Sequence, residues 1–571
     1  MKESKVLSSP IRFGVFEADL HAGELRKNGV KVKLQEQPFH VLAVLLEQAG
    51  QLVTRDELQH KVWATDTFVD FERGLNKAIS RLRDALGDSA DSPSFIETLP
   101  RRGYRFIARV VRRIDSVAVL PFENLSGDPN QEHWADGMTD ELITRIARIS
   151  GLRVISRTSI MPFKDRQIAL PEIARQLSVD AVIEGSVTLA DRKMRIRVKL
   201  IDSFSDRHLW ADTYERELGD VLTLQGQIAQ AIAGQVRAQL APEEQATLAR
   251  VRPARPSAYE AYLKGRFFWN KRTEADLNRG IEYFNHAVAL DPEYPLAHAG
   301  LADSYELLGI LGLVPPKDAF PNAKSAAETA LSLDETLAET HTALAHLRMI
   351  YDWDWGSAEH EFNRALELNA NYSIAHLWYG NLLTILRRFE EAIAEVTMAR
   401  ELDPLSLPVN TFVGFVYMRA RQYDQAIAAC RKAIELEPSN PFGHWILARV
   451  FDAQNELCES LSESERAATL SGNCLPFTAH LGYAYARTGD RVRAHKVIDD
   501  LMRLSERKYV SPYAVAVIYT GLGEKDLAFE WLEKAYADRT ARLSELLDPP
   551  FDNLRADPRF QDLVRRVGLP S

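Results

Sequence analysis

The chain has 571 residues, 46% of them hydrophobic and 26% charged, with a formal net charge of −10 and three cysteines. That length exceeds a single hydrophobic core and implies three or more domains, and the composition is that of an ordinary globular protein. No apolar run approaches the ~20 residues of a membrane span. The opening MKESKVLSSPIRF lacks the apolar stretch of a secretory signal, and Cys430, Cys458 and Cys474 form neither a disulfide framework nor a metal-ligand spacing, so a cytoplasmic protein without membrane contact is expected.

Residues 1–113 hold 19 Lys and Arg against 15 Asp and Glu, which leaves −14 on the other 458 residues. A basic module on an acidic body points to an anionic partner for the N-terminus alone. That module opens with IRFGVFEADL and GELRKNGVKVKL, which read as short strands with KNGV as a turn. PFHVLAVLLEQAG then places Phe39, Leu42, Ala43 and Leu46 at helical spacing, with Pro38 in the first turn and Gly50 as the stop. A second helix begins at TRDELQHKVW, where Thr54 is the N-cap and Glu57 completes a capping box. Only GQLV separates the two, so they are expected as a helix-turn-helix.

A third helix is predicted over roughly 72–87, ERGLNKAISRLRDALG. Leu75, Ile79, Leu82 and Leu86 share its core face, while Arg73, Asn76, Lys77, Ser80 and Arg81 spread over the opposite side. Arg and Asn are the side chains best matched to guanine and adenine edges in a major groove. Asp84 interrupts this surface, and a plain solvated helix face is the competing reading. The next segment favours the first. FIETLP and GYRFIARV read as two strands joined at RRG, which puts Arg101 and Arg102 at a hairpin tip. Such a tip can reach phosphates or the adjacent minor groove while the helix occupies the major groove.

Taken together, ELRKNGVKVKL, GQLVTRDELQHKVW, FERGLNKAISRLRDALGD and FIETLPRRGYRF, in that order, resemble the winged-helix DNA-binding domain of OmpR/PhoB-type response regulators, also found in ToxR- and CadC-like one-component regulators. The resemblance covers residues 11–110. It implies an N-terminal β-sheet, three helices and a C-terminal hairpin wing, with double-stranded promoter DNA as partner. Carried over by position, the DNA-binding residues are Arg73, Asn76, Lys77, Ser80 and Arg81 on the third helix and Arg101 and Arg102 on the wing. Trp63 matches a family tryptophan near the DNA backbone. Gly103 is expected to let the wing turn, with Tyr104 and Phe106 packed inward. No receiver domain precedes this module in the chain, so control by Asp phosphorylation within it is not expected. Binding as a homodimer to direct repeats is expected from the family.

Residues 114–245 alternate strand, loop and helix. SVAVLPF is an apolar strand, 135–149 an amphipathic helix, and MRIRVKLID alternates at period two like an antiparallel strand with one wet face. A small α/β domain is expected, one that resembles TolB-like N-terminal domains. Asp128, His133, Asp136, Asp140 and Glu141 invite an acid/base or metal reading. They fall in a turn and a helix's first turns, where carboxylates serve as caps and dipole partners. No catalytic residue, metal or cofactor is assigned.

After a linker at RPARP, residues 256–571 repeat internally. Small residues recur every 34 positions at Ala358, Ala392, Ala426, Ser460, Ala494 and Ala528, and in a second register at Gly380, Gly414, Ala448, Gly482 and Ala516. Pro404, Pro438 and Gly472 close successive units. FEEAIAEVTMARELDP and YDQAIAACRKAIELEP resemble tetratricopeptide repeats (TPR), with about eight units beginning near 258. The resemblance implies an α-solenoid whose groove binds protein or peptide, with Asn381, Phe415, Trp445, Arg449 and Tyr483 lining it. His341, His346, His360 and His376 match no metal motif and are expected to be surface or packing residues. The expectation is thus a multidomain, mostly α protein that regulates transcription. A TPR scaffold whose winged helix no longer binds DNA is the alternative, and the pairing of Arg73, Lys77 and Arg81 with Arg101 and Arg102 argues against it.

Overall fold

The structure, a computed structural model, describes residues 11–20, 22–63, 71–108, 110–112, 114–164, 166, 168–190, 193–203, 205–236, 248 and 255–570. Most of the RPARP linker therefore lies outside the described residues.

The N-terminal module contains two antiparallel sheets around three helices. Strands β1 (Ile11–Phe13), β2 (Phe16–Asp19), β3 (Glu24–Lys27), β4 (Val30–Val32) and a returning β8 (Val110–Arg112) form the first sheet in the order β4-β3-β2-β1-β8. The KNGV turn is made by Asn28 and Gly29, both in left-handed conformation. Helix α1 (Glu36–Glu47) is the module's centre, burying Phe39, Val41, Leu42, Val44, Leu45 and Leu46. Strand β5 (Leu52–Thr54) follows, then α2 (Arg55–Val62) and α3 (Phe71–Leu86). The wing is β6 (Ile96–Leu99) and β7 (Gly103–Phe106), and β7 pairs on its other edge with β5. This corrects one expectation. GQLV is not a helix-turn-helix linker: Gly50 turns the chain in left-handed conformation, Val53 is fully buried, and the segment becomes the third strand of the wing sheet. Three residues are too few to show a strand's period-two pattern in sequence.

The middle segment forms a mixed sheet, β11-β9-β12-β13-β14, from β9 (Ser116–Val119), β11 (Arg153–Val154), β12 (Ala181–Ala190), β13 (Lys193–Asp202) and β14 (His208–Glu217), with the short β10 (Glu123–Asn124) beside β12. β9 is parallel to its neighbours β11 and β12, and β12 to β14 run antiparallel. MRIRVKLID alternates as expected: Met194, Ile196, Val198 and Leu200 are buried and the intervening cations exposed. Helix α4 begins at Glu132 rather than 135, because Asp128 caps a single 3-10 turn just before it, and it ends at Ile146. Helices α5 (Arg157–Ile160) and α6 (Leu170–Leu177) cover one sheet face, and α4 with α7 (Val221–Val236) the other.

From Pro256 onward the described residues form eight consecutive helix pairs, from 256–269 with 274–290 to 512–522 with 525–537, then a C-terminal helix, Pro558–Val567. The 34-residue registers meet at the contact of each pair. Ala358, Ala392, Ala426, Ala494 and Ala528 are fully buried. A Cβ on Gly380 would lie 3.3 Å from the Ala392 carbonyl oxygen, and one on Gly414 3.3 Å from that of Ala426. Small residues in both registers let the paired backbones approach, which is how the repeat spacing becomes a superhelix.

The array is joined to the middle segment by direct contacts. Tyr259 and Leu263 of the first repeat helix belong to the middle segment's own core, and Gln225 donates to the Tyr259 hydroxyl at 2.6 Å. Asn371 Nδ2 donates to the Ala147 and Leu152 carbonyls at 2.7 and 2.9 Å. Ser159 Oγ donates to Asp403 Oδ1 at 2.5 Å, and the Ser156 amide to the Leu402 carbonyl at 2.8 Å. Asp403 Oδ2 is buried without a partner, and burial pushes this carboxyl from 3.8 up to about 6. The folded state thus holds the proton more tightly than the unfolded chain. The stability it contributes is full below pH 3.8 and is lost as pH rises through about 6. Asp403→Asn, which keeps an acceptor for Ser159 without the charge, is expected to raise stability at pH 7.5 by about 3 kcal/mol and to change little at pH 4. Urea unfolding of both proteins across that range measures the difference.

Candidate nucleic-acid interface

The third helix and the wing are held as one body by three side chains whose bonds the sequence did not reveal: Arg55, Arg83 and Tyr104, the last expected only to pack inward. Arg83, on the flank of α3, donates through Nη2 to the Ile96 carbonyl and to Thr98 Oγ1, each at 2.8 Å, tying the helix to β6. Tyr104 on β7 donates its hydroxyl to Asn76 Oδ1 at 3.1 Å. Burial pushes the Tyr104 phenol up, so it stays protonated as that donor. Arg55, the first residue of α2, donates to the Tyr104 hydroxyl at 3.2 Å and ion-pairs with Glu72 at the start of α3. The loop between α3 and the wing is fixed as well: Asp88 accepts from the amides of Ser94 at 2.7 Å and Ile96 at 2.8 Å.

The outward side of this body carries the predicted residues. Arg73, Asn76, Lys77, Ser80 and Arg81 are all exposed on α3, opposite buried Leu75, Ile79, Leu82 and Leu86. Asp84 is exposed on the same helix. The helix brings the five to one face, and the Tyr104 bond fixes the orientation of the Asn76 amide within it. Trp63, half-buried at the end of α2, packs edge-to-face on Phe71 with ring centroids 5.1 Å apart. It supports the first turn of α3. The segment joining α2 to α3, residues 64–70, lies outside the described residues.

At the wing, Leu99 pairs with Gly103, and Arg101 and Arg102 occupy the exposed turn between them. Arg101 has φ +61°, a left-handed conformation rare for a side-chain-bearing residue. Gly103 serves close approach as well as turning: a Cβ there would lie 2.0 Å from the Val53 carbonyl oxygen on β5. Tyr104 and Phe106 are buried, as expected. Arg105 instead ion-pairs with Glu97 at 3.5 Å, which leaves the tip as the cationic part of the hairpin.

Two other sets of candidates are placed differently. In the middle segment Lys164 pairs with Asp136 at 2.6 Å and Arg157 with Asp140, while His133 Nδ1 contacts the Asn130 carbonyl at 2.9 Å and burial lowers its basicity. The two ion pairs clamp α4 to the 157–164 segment, and His133 holds the start of the helix.

The TPR candidates do gather on one surface, but that surface is not an open groove. Residues 541–554 of the same chain lie across it, with Leu543, Leu546, Phe551 and Leu554 fully buried. Arg449 is buried and pairs with Asp548 at 2.7 Å and Glu545 at 3.1 Å. Phe415 lies under the guanidiniums of Arg419 and Arg449, Trp445 under Arg542, and Asn381 accepts from Arg419 at 3.2 Å. Tyr483 is buried and donates to Asp452 at 2.9 Å. The repeat register carries no signal for a tail from beyond the last repeat that folds back onto this surface. The array closes further where Trp355 donates to the Gly568 carbonyl at 2.7 Å. Of the histidines, His341 and His376 contact Glu361 and Glu395, each at 2.5 Å, between the helices of their repeats.

This fold and face define an OmpR/PhoB-type winged-helix protein with a C-terminal TPR array. Residues 29–106 match the family described as transcriptional regulatory protein, C terminal, residues 113–231 the HilA/YgeH-like transcriptional regulator, second domain, and residues 354–406 and 411–440 tetratricopeptide repeats. By these matches the chain is similar to HilA- and CadC-like transcriptional regulators. It is 23% identical over 394 residues to the transcriptional regulator HilA of Salmonella typhimurium, covering 67% of this chain and 68% of that protein. Over 81 residues it is 40% identical to the cholera toxin homolog transcriptional activator of Vibrio parahaemolyticus, 14% of this chain and 28% of the relative. A Rhizobium meliloti protein that carries the name adenylate cyclase 3 is 34% identical over 190 residues, 33% of this chain and 32% of the relative, so the chain spans about a third of that protein. The middle segment is described by the HilA/YgeH-like match, and the TolB-like resemblance is not part of it.

Arg83 and Arg81 sit two residues apart on α3 with opposite tasks. Arg83→Ala should lower the local stability of α3 and the wing by about 1–3 kcal/mol, since it strips partners from the Ile96 carbonyl and Thr98. Arg81→Ala should leave it within about 0.5 kcal/mol. Hydrogen exchange of the α3 and wing amides in the full chain separates the two.

Proposed function

We propose that the chain is a one-component, sequence-specific DNA-binding regulator of transcription acting in the cytoplasm, with α3 in the major groove of promoter DNA and the wing tip on the neighbouring minor groove. One observation carries the reading: Arg73, Asn76, Lys77, Ser80 and Arg81 are all exposed on one side of α3, in a body whose rigid wing presents Arg101 and Arg102. A TPR scaffold has no use for that pairing. Asn and Ser among the cations give α3 the means to read base edges, while the wing arginines supply position through phosphates. One such module buries a modest interface, so occupancy of direct repeats by two copies supplies the remaining affinity and specificity.

The array senses or recruits a protein, peptide or small ligand, and the middle segment couples it to the DNA-binding module. The coupling has a physical route. β8 of the winged helix and β9 of the middle sheet are separated by three residues, and the middle segment is bonded to the repeat loops at Asn371 and Asp403. A peptide entering the inner surface must displace residues 541–554, so recruitment there competes with a contact made within the chain. Catalysis is not part of the proposal: Asp136 and Asp140 serve ion pairs, and His133 the helix start.

Replacing both wing arginines tests the docking mode without knowledge of the target. Arg101→Ala/Arg102→Ala is expected to make the slope of log K against log salt, on a generic duplex, shallower by about 1.8, at ~0.9 per lost phosphate contact. Fluorescence anisotropy over a salt series reads the slope, and an unchanged slope removes the wing from the interface.

A further inference from the structure

A cavity of about 220 Å³ lies between the repeats at 384–423 and the C-terminal segment at 544–555. Four arginines line it, Arg387, Arg419, Arg421 and Arg555, against two carboxylates, Asp548 and Asp552. Asp548 is bound to Arg419 at 3.0 Å and, from outside the cavity, to Arg449, while Asp552 pairs with Arg555 at 2.6 Å. Arg387 and Arg421 are exposed at its edge and enter none of these pairs. The lining therefore carries two cations more than anions. Ile385, Phe389, Met418, Tyr423, Leu547 and Pro549 supply the apolar part of the wall.

The backbone at Arg387 and Arg421 is set by the repeat, and the Arg387 guanidinium also lies over the Phe389 ring, 5.7 Å from its centroid. Residues 387, 421, 455, 489 and 523 are equivalent turn positions, 34 residues apart, between the two helices of successive repeats, and all five are left-handed, with φ of 61°, 60°, 62°, 86° and 74°. The last three are Asn455, Gly489 and Gly523, residue types that accept this conformation readily. Arg272, Gly312 and Trp353 take the same conformation between the helices of the first three repeats, so it belongs to the repeat turn, and what sets Arg387 and Arg421 apart is that their turns border the cavity.

We propose that this cavity binds a small organic phosphate monoester, held by Arg387 and Arg421 with Arg419 at the floor. The excess of two cations matches a group that carries −1.5 to −2 charge near neutral pH, and guanidinium forks match phosphate oxygens bidentately. The volume falls below the roughly 300–1,000 Å³ of sites for drug-sized ligands, which selects a phosphate on a short carbon body over a nucleotide. Such a ligand bridges the repeats to the segment that covers the inner surface, so binding holds that cover in place. The inference deepens the sensing role proposed above and rests on it for its biological meaning only.

The test uses the full chain and no DNA, so its failure is separate from failure of the DNA-binding reading. Thermal unfolding is followed while glycerol 3-phosphate is titrated at constant ionic strength, with succinate as a second dianion, in the native chain and in Arg387→Gly/Arg421→Gly. Glycine suits both backbones, so the variant should melt at or above the native temperature without ligand. Glycerol 3-phosphate should raise the native melting temperature saturably, by a few degrees at a hundredfold excess over Kd, and leave the variant unmoved. No saturable shift in the native chain, an equal shift in the variant, or a larger shift with succinate than with glycerol 3-phosphate each overturns the proposal.

Discussion

Two backbones can pack as closely as these repeat helices do only where neither carries a bulky side chain at the crossing. That constraint shapes most of the molecule. Gly380 against Ala392 and Gly414 against Ala426 set the separation within a pair, and its recurrence every 34 residues sets the curvature of the array. The curvature creates an inner surface on which Phe415, Trp445, Arg449 and Tyr483 gather. The chain packs on the array from both ends: the middle segment meets the first repeat and the loops at Asn371 and Asp403, and the segment after the last repeat lies across Phe415, Arg449 and Tyr483 on the inner surface. The final residues then reach back to Trp355. The result behaves as a partly closed body, whose inner cations are already paired with Glu545 and Asp548.

The DNA-binding module stands apart from that logic. Its hydrophobic cluster is its own, and its order comes from polar bonds as much as from packing. Arg55, Arg83, Asp88 and Tyr104 fix the angle between α3 and the wing before any DNA arrives. A preformed angle lowers the ordering cost of association and makes the two cationic elements act as one surface. The cost of the arrangement is local: a left-handed arginine at 101, and a glycine at 103 that no other residue can replace without moving β5.

Much of this was legible in the residues. The apolar stripe of α3, the Thr54–Glu57 capping box, the alternation of β13 and both 34-residue registers each report a local physical requirement, and each is met. What escaped the sequence has one common character. Val53 joining the wing sheet, Arg83 bonding β6, Tyr104 reaching Asn76, Ser159 meeting Asp403 and the tail covering Arg449 are all pairings between residues distant in sequence, where periodicity carries no information. Arg81 and Arg83 show the limit most clearly. They are the same residue type two positions apart, and only the fold reveals that Arg83 is turned to the wing while Arg81 is exposed.

The most direct test of the account is selection of genomic DNA fragments by the purified full chain at physiological salt, run beside Lys77→Ala/Arg81→Ala. The account predicts a recurring sequence motif in the fragments retained by the native chain, lost in the variant while both remain folded. Fragments without a shared motif, or the same motif retained by the variant, would contradict a role for α3 in reading sequence.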